Sequence, residues 1–152
     1  MQPKPIISDT SCLIVLSKTG QLALLQQIFG NIVTTPEIAA EFGETLPEWV
    51  EIVSVKDKSK QQLLETQVDN GEASAVALAL ESENPFLILD DQKARKLAGS
   101  LKLNHTGTIG VIVAAKQKNI ISKITPFLDK IKATDFRISA ELELQALIQA
   151  KE

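Results

Sequence analysis

A chain of 152 residues, 44% hydrophobic and 23% charged, has the size and composition of one globular domain. No apolar run approaches the roughly 20 residues that cross a bilayer, and the single cysteine, Cys12, excludes an internal disulfide. The formal charge of −3 argues against a sequence-independent nucleic-acid binder that works by basic excess, but it allows an enzyme whose acidic cluster is neutralised by cations.

The stretch Met1 to Asp9 has no long apolar core and no small-residue cleavage site, so no secretory leader is read there and the cytoplasm is the expected compartment. Ile6, Ile7 and Ser8 read as a short strand, followed by a helix from Thr10 to Lys18. Leu22 to Phe29 returns to helical spacing, and Gly30 and Asn31 stop it. A second strand is expected at Ile32 to Thr34. Thr35 and Pro36 then give an N-cap and a first-turn proline for a helix to about Phe42, which exits at Gly43. Ile52, Val53 and Val55 suggest a third strand, Ser59 to Gln67 a helix, and Asp69-Asn70-Gly71 a break. Glu72 to Glu81 is helical. The unbroken apolar run Phe86 to Leu89 has the character of a strand covered on both faces. A helix with Ala94, Leu97, Ala98 and Leu101 on one side follows. Asn104 to Gly107 forms a loop or short edge strand, and Thr108 is expected to cap a helix to about Lys118. Two more helical segments, Ile124 to Ile131 and Ser139 to Ala150, finish the chain. Those from about residue 122 would pack on, or extend, a single domain spanning 1–152. Strands that alternate with helices imply a three-layer α/β/α architecture around a doubly wound parallel sheet of four or five short strands.

The functional crevice of such a sheet lies at the carboxyl ends of its strands, where strand order reverses. Asp9 closes the first strand, and Asp90 and Asp91 close the one before the sixth helix. Glu72 opens a helix just after Gly71, and Glu41 lies in the last turn of the third helix. Any one of these could simply cap or flank a helix. Jointly they are harder to explain, because two unit charges 4 Å apart repel by about 4 kcal/mol at an effective dielectric near 20. Hard carboxylate oxygens without accompanying His or Cys favour Mg²⁺ or Mn²⁺ over zinc, and paired ions of that kind suit phosphodiester cleavage.

Four segments, Ile7-Ser8-Asp9-Thr10-Ser11, Pro36-Glu37-Ile38-Ala39-Ala40-Glu41, Gly71-Glu72-Ala73-Ser74-Ala75 and Leu87-Ile88-Leu89-Asp90-Asp91, resemble PIN-domain proteins in order and spacing. The runs Arg95-Lys96-Leu97-Ala98 and Thr106-Gly107-Thr108-Ile109-Gly110-Val111 are closest to a toxin-like subgroup. The resemblance implies a metal-dependent endoribonuclease, the toxin of a toxin-antitoxin pair, with RNA as substrate, a small antitoxin as partner and a homodimeric state. It implies catalytic roles for Asp9, Glu41, Glu72, Asp90 and Asp91, with Asp9, Glu72 and one of the Asp90/Asp91 pair on the metal. Ser11 would support the first carboxylate, while Arg95 and Thr108 would meet the substrate. Many relatives carry Thr before the aspartate near the fourth strand and Asp at the position of Glu72. Here Leu89 and Glu72 stand instead, and the choice between Asp90 and Asp91 stays open.

His105 reads as a loop residue, because a two-metal site needs no histidine base. No Gly-x-Ser-x-Gly turn surrounds Ser11, and Gly107 to Gly110 lacks the lysine of a phosphate-binding loop. A receiver domain would need paired acids after the first strand, and a dehalogenase-like phosphatase an Asp at position 11. The rival of another class is a PIN-like module that binds without cutting.

Overall fold

Three buried residues, Ile6–Ser8, form the central strand β1, and all the other strands are as short, because each must place only two or three side chains between helical layers. The computed structural model describes residues 5–152, so the leader reading at residues 1–4 lies outside the described residues. The remaining strands are β2 (Ile32–Thr34), β3 (Val50–Ile52), β4 (Phe86–Ile88) and β5 (Asn104–Thr106). They form one parallel sheet in the order β3-β2-β1-β4-β5. The chain winds outward from β1 to β3, crosses back to β4 and continues to β5. The switch point thus falls between β1 and β4, where Ser8 lies in register with Ile88.

The helices are α1 (Thr10–Lys18), α2 (Ala23–Phe29), α3 (Pro36–Phe42), α4 (Lys58–Leu64), α5 (Asn70–Leu80), α6 (Gln92–Ser100), α7 (Thr108–Gln117), α8 (Thr125–Lys132) and α9 (Ala140–Gln149). The five parallel strands and the helices around them confirm the doubly wound α/β/α architecture. Every residue of α5 from Ala73 to Ala79 is buried, and its alanines allow the close approach to sheet and neighbouring helices that larger side chains would prevent. Among the described residues no single helix is long and apolar enough to cross a membrane, and the apolar pair α1 and α2 is bent by 118°. Leu13, Leu16, Leu24 and Leu25 on that pair lie in the core.

Three local expectations shift. The third strand pairs two residues earlier than Ile52-Val53-Val55 suggests, because its register is set by backbone pairing with β2, Ile32 opposite Val50. Ile52 is exposed and Val55 is buried beyond the strand. Asp69-Asn70-Gly71 begins α5 rather than breaking the chain. Asp69 is its N-cap and accepts from Glu72 N at 2.8 Å, since the residue types that end helices also start them. The cap of α7 is Gly107, not Thr108. The missing side-chain cap is supplied from another element, as described below.

The C-terminal helices are tied down by the last residue. The Glu152 carboxylate accepts from Ile124 N (2.7 Å), Thr125 N (3.2 Å), Thr125 Oγ1 (2.8 Å) and Lys116 Nζ (3.0 Å), thereby capping α8 and clasping it to α7. Leu128, Ile131 and Ala146 bury the inner sides of α8 and α9.

Candidate active site

Asp9 leaves β1 at the switch point and is 4% exposed. Its Oδ1 accepts from Cys12 N (2.9 Å) and its Oδ2 from Asp90 N (2.9 Å), so one carboxylate caps α1 and latches it to the end of β4. Capping and a place at the centre of the site prove to be compatible. Asp90 is the mirror case: its Oδ1 accepts from Thr108 N (2.8 Å) and its Oδ2 from Thr108 Oγ1 (2.6 Å). Asp90 thus caps α7 from outside that helix. A Cβ at Gly107 would come within 2.9 Å of Asp90 Oδ1, so glycine there gives the carboxylate its seat.

Glu41, Glu72 and Asp91 form an acidic rim above this floor. A Cβ at Gly71 would collide with Oε1 of Glu41, so the glycine in the first turn of α5 is what lets Glu41 of α3 lie against that helix. Asp91 is exposed, and its Oδ2 caps α6 by accepting from Ala94 N (3.0 Å). These residues line a cleft of about 550 Å³ with Thr10, Ser11, Lys18, Asp69, Asp135 and Phe136.

Crowding shows in the proton affinities. Burial, then the charge of Asp90, pushes Asp9 up to about 8, against the two backbone donors that pull it down. Burial, then the charges of Asp69 and Asp91, pushes Glu72 up to about 7. Glu41 is raised by burial and by Asp69, with Thr10 donating in the opposite sense. Asp90 is raised by burial although Thr108, Ser11 and Arg95 all favour its charged form. Burial holds the Cys12 thiol, beneath the floor, well above its ordinary value and hence unreactive.

Sequence reasoning placed Asp9, Glu41, Glu72, Asp90 and Asp91 at one edge, and all five line the cleft. Two supporting assignments need correction, and the third, Arg95, changes place. Ser11 hydrogen-bonds Asp90, not the first carboxylate. Thr108 is fully buried, with its backbone N–H and hydroxyl both given to Asp90, so it positions that carboxylate and cannot meet substrate. Arg95 lies outside the acidic cleft, in an adjoining one, where it acts on Asp90 by charge. Asp69 was missed as a site residue because its sequence context reads as a break. A cap three residues before Glu72 was the available signal. Asp135 and Phe136 carried no signal, since only the return of the C-terminal segment brings them here.

Among the described residues no three acidic, His or Cys side chains are preformed around a single point that could hold an ion. The reason is the hydrogen bonding above: Asp9 and Asp90 turn their oxygens to backbone and hydroxyl donors. A carboxylate has about four lone-pair sites, so these bonds orient the floor without exhausting it. The donor set is all oxygen, and Gly71 lets the Glu41 carboxylate lie against α5 at the cleft. The residues fit a hard divalent cation such as Mg²⁺ or Mn²⁺.

The fold and site define a doubly wound domain with an all-acidic cleft at the β1/β4 switch point. A family model described as a PIN domain matches residues 5–152, and the chain belongs to the PIN-domain family. Members of that family are generally nucleases that use divalent metals. No curated protein and no solved structure matches the chain.

Proposed function

We propose that this protein is a Mg²⁺- or Mn²⁺-dependent endoribonuclease. The observation that carries the reading is the convergence of Asp9, Glu41, Glu72, Asp90 and Asp91 on one cleft, where the proton affinities of Asp9 and Glu72 are raised and Lys18 is the one cation in the described wall. Helix capping by Asp9, Asp90 and Asp91 does not require Glu41 and Glu72 to converge on them, and a bound cation would offset the repulsion. Asp9 and Asp90 would hold the ion from below, with Glu72 and Asp91 closing on it from the rim. When bound, such an ion lowers the pKa of a coordinated water and stabilises the leaving oxygen. The chain's own contribution is to fix the floor through Cys12 N, Asp90 N and Thr108, and to keep Glu41 beside the site through Gly71.

The proposal extends to a toxin paired with a small antitoxin and to a homodimer, on the resemblance of 95–98 and 106–111 to toxin-like members. The apolar side chains of α1 and α2 are mostly spent in the core. Leu144 and Ile148 on α9, 58% and 66% exposed, are the better apolar candidates. The deciding experiment is incubation of wild type and Asp9→Asn with total RNA and Mn²⁺. Wild type cuts, EDTA stops it and Asp9→Asn is inactive. Equal cleavage by both proteins, or none by wild type, refutes the assignment.

A further inference from the structure

The chain has two arginines, Arg95 and Arg137, and both line one cleft whose wall, among the described residues, holds no lysine. This cleft, about 740 Å³, lies between α6, the turn into α7 and the segment from Phe136 into α9. Asp90 and Phe136 line both it and the acidic cleft, so the two adjoin at these side chains. Asp90, already held by Thr108, is the only carboxylate in its wall. Among the described residues Arg137 makes no ion pair or hydrogen bond and Arg95 no salt bridge. Three glutamines, Gln92, Gln145 and Gln149, complete the polar lining.

We propose that this second cleft binds the nucleotides flanking the scissile phosphate of a single-stranded nucleic acid, a reading that rests on the nuclease function proposed above. Guanidinium groups are planar, weakly hydrated forks that bind phosphates bidentately and stack on bases, which ammonium groups do not. Their placement here, with Asp90 beside Arg95 as the one carboxylate in the described wall and Arg137 in no ion pair, provides for a polyanion. The aromatic ring at the junction suits an unpaired base, because stacking on a side chain requires a base splayed out of a duplex. Glutamine amides offer both donors and acceptors to base edges. A strand whose phosphate lies at Asp9 and Asp90 therefore passes Phe136 and meets Arg95 and Arg137 in turn.

The test is fluorescence anisotropy with a labelled, unstructured RNA and Mn²⁺, in the Glu72→Gln background so that the probe stays intact. Arg137 is exposed and unbonded, so Arg137→Gln folds as the parent does. It weakens binding several-fold and lowers the slope of log Kd against log salt by about 0.7, one single-strand phosphate contact. Phe136→Leu keeps the apolar packing and weakens binding at least about fivefold by removing the stacking face. Gln149→Glu weakens it by placing an anion in the cleft. Lys60→Gln, which lines neither cleft, changes nothing. Unchanged affinity and salt slope in all three cleft variants overturn the proposal and leave this surface to a protein partner. If wild type cuts no RNA but binding still depends on Arg137 and Phe136, the nuclease reading fails while the strand-binding cleft stands.

Discussion

Two glutamates at opposite regions of the molecule show what the acidic cleft lacks. Glu152, at the C-terminal clasp, is an exposed residue whose carboxylate is held by donors from Ile124, Lys116 and Thr125, which overcome the upward push of desolvation and hold it down to about 2. Glu72, at the cleft, is half-buried among Asp69 and Asp91 and is pushed up to about 7. The clasp spends its carboxylate on internal donors and gains stability. The cleft leaves its carboxylates facing one another, so their counter-charge must come from outside the chain.

The largest expected effect separates the cleft's activity from its stability. Gly71→Ala puts a methyl group where Glu41 Oε1 lies, and the flexible glutamate can swing away. RNA cleavage should fall roughly a hundredfold, the scale of a misplacement near 1 Å. The melting temperature should hold or rise, because alanine in a helix interior is favoured over glycine by about 0.5–1 kcal/mol. A cleavage assay beside a thermal melt checks both; full activity would show that Glu41 has no role.

A smaller contrast is expected between adjacent aspartates. Asp90→Asn sets an amide against the Thr108 donors and should cost about 1–3 kcal/mol as well as at least about tenfold in Mn²⁺ affinity. Asp91→Asn keeps the α6 cap, since Asn caps as well as Asp. It should lose Mn²⁺ affinity with no loss of stability. Calorimetric titration and melting of the two variants decide it, and equal, small losses in both would remove the pair from the metal site.

The smallest effect is in pH. Glu72 has a folded-state pKa above its ordinary 4.5, so the metal-free fold binds its proton more tightly than the unfolded chain does. Its contribution is fully favourable below about 4.5 and is lost as pH rises through about 7. Glu152 has the opposite sign: its contribution is present above 4.5 and is lost as pH falls through about 2. Melting in EDTA between pH 5 and 8 should therefore decline for wild type and decline less steeply for Glu72→Gln, in which the rest of the slope comes from Asp9. Parallel curves would contradict the crowding at Glu72.

Much of this was legible in the sequence. Apolar runs with caps, such as Phe86 to Asp91 and Thr35 to Phe42, revealed the element order; strand ends located Asp9, Asp90 and Asp91, and helix ends Glu41 and Glu72. Partnerships across the chain were not legible. That Asp90 caps α7, that Ser11 serves Asp90 and that Phe136 divides two clefts depend on residues far apart in sequence meeting at the switch point. Asp9 shows the same limit. Charge alone suggests that Asp9→Asn should stabilise the metal-free protein, but its two oxygens accept two backbone N–H groups and an amide can accept only one. Glu72 gives the cleaner test.

That test is the melting temperature of wild type and Glu72→Gln in EDTA and in Mn²⁺ at pH 8, where Glu72 is ionised. In EDTA the variant should melt higher by a few degrees, since solvent screening at a half-buried group limits the gain to about 1 kcal/mol. Mn²⁺ should raise wild type by more than the variant, so that their order reverses. If the variant melts lower in EDTA and Mn²⁺ shifts the two proteins equally, the acidic cleft does not hold a cation and the nuclease account is wrong.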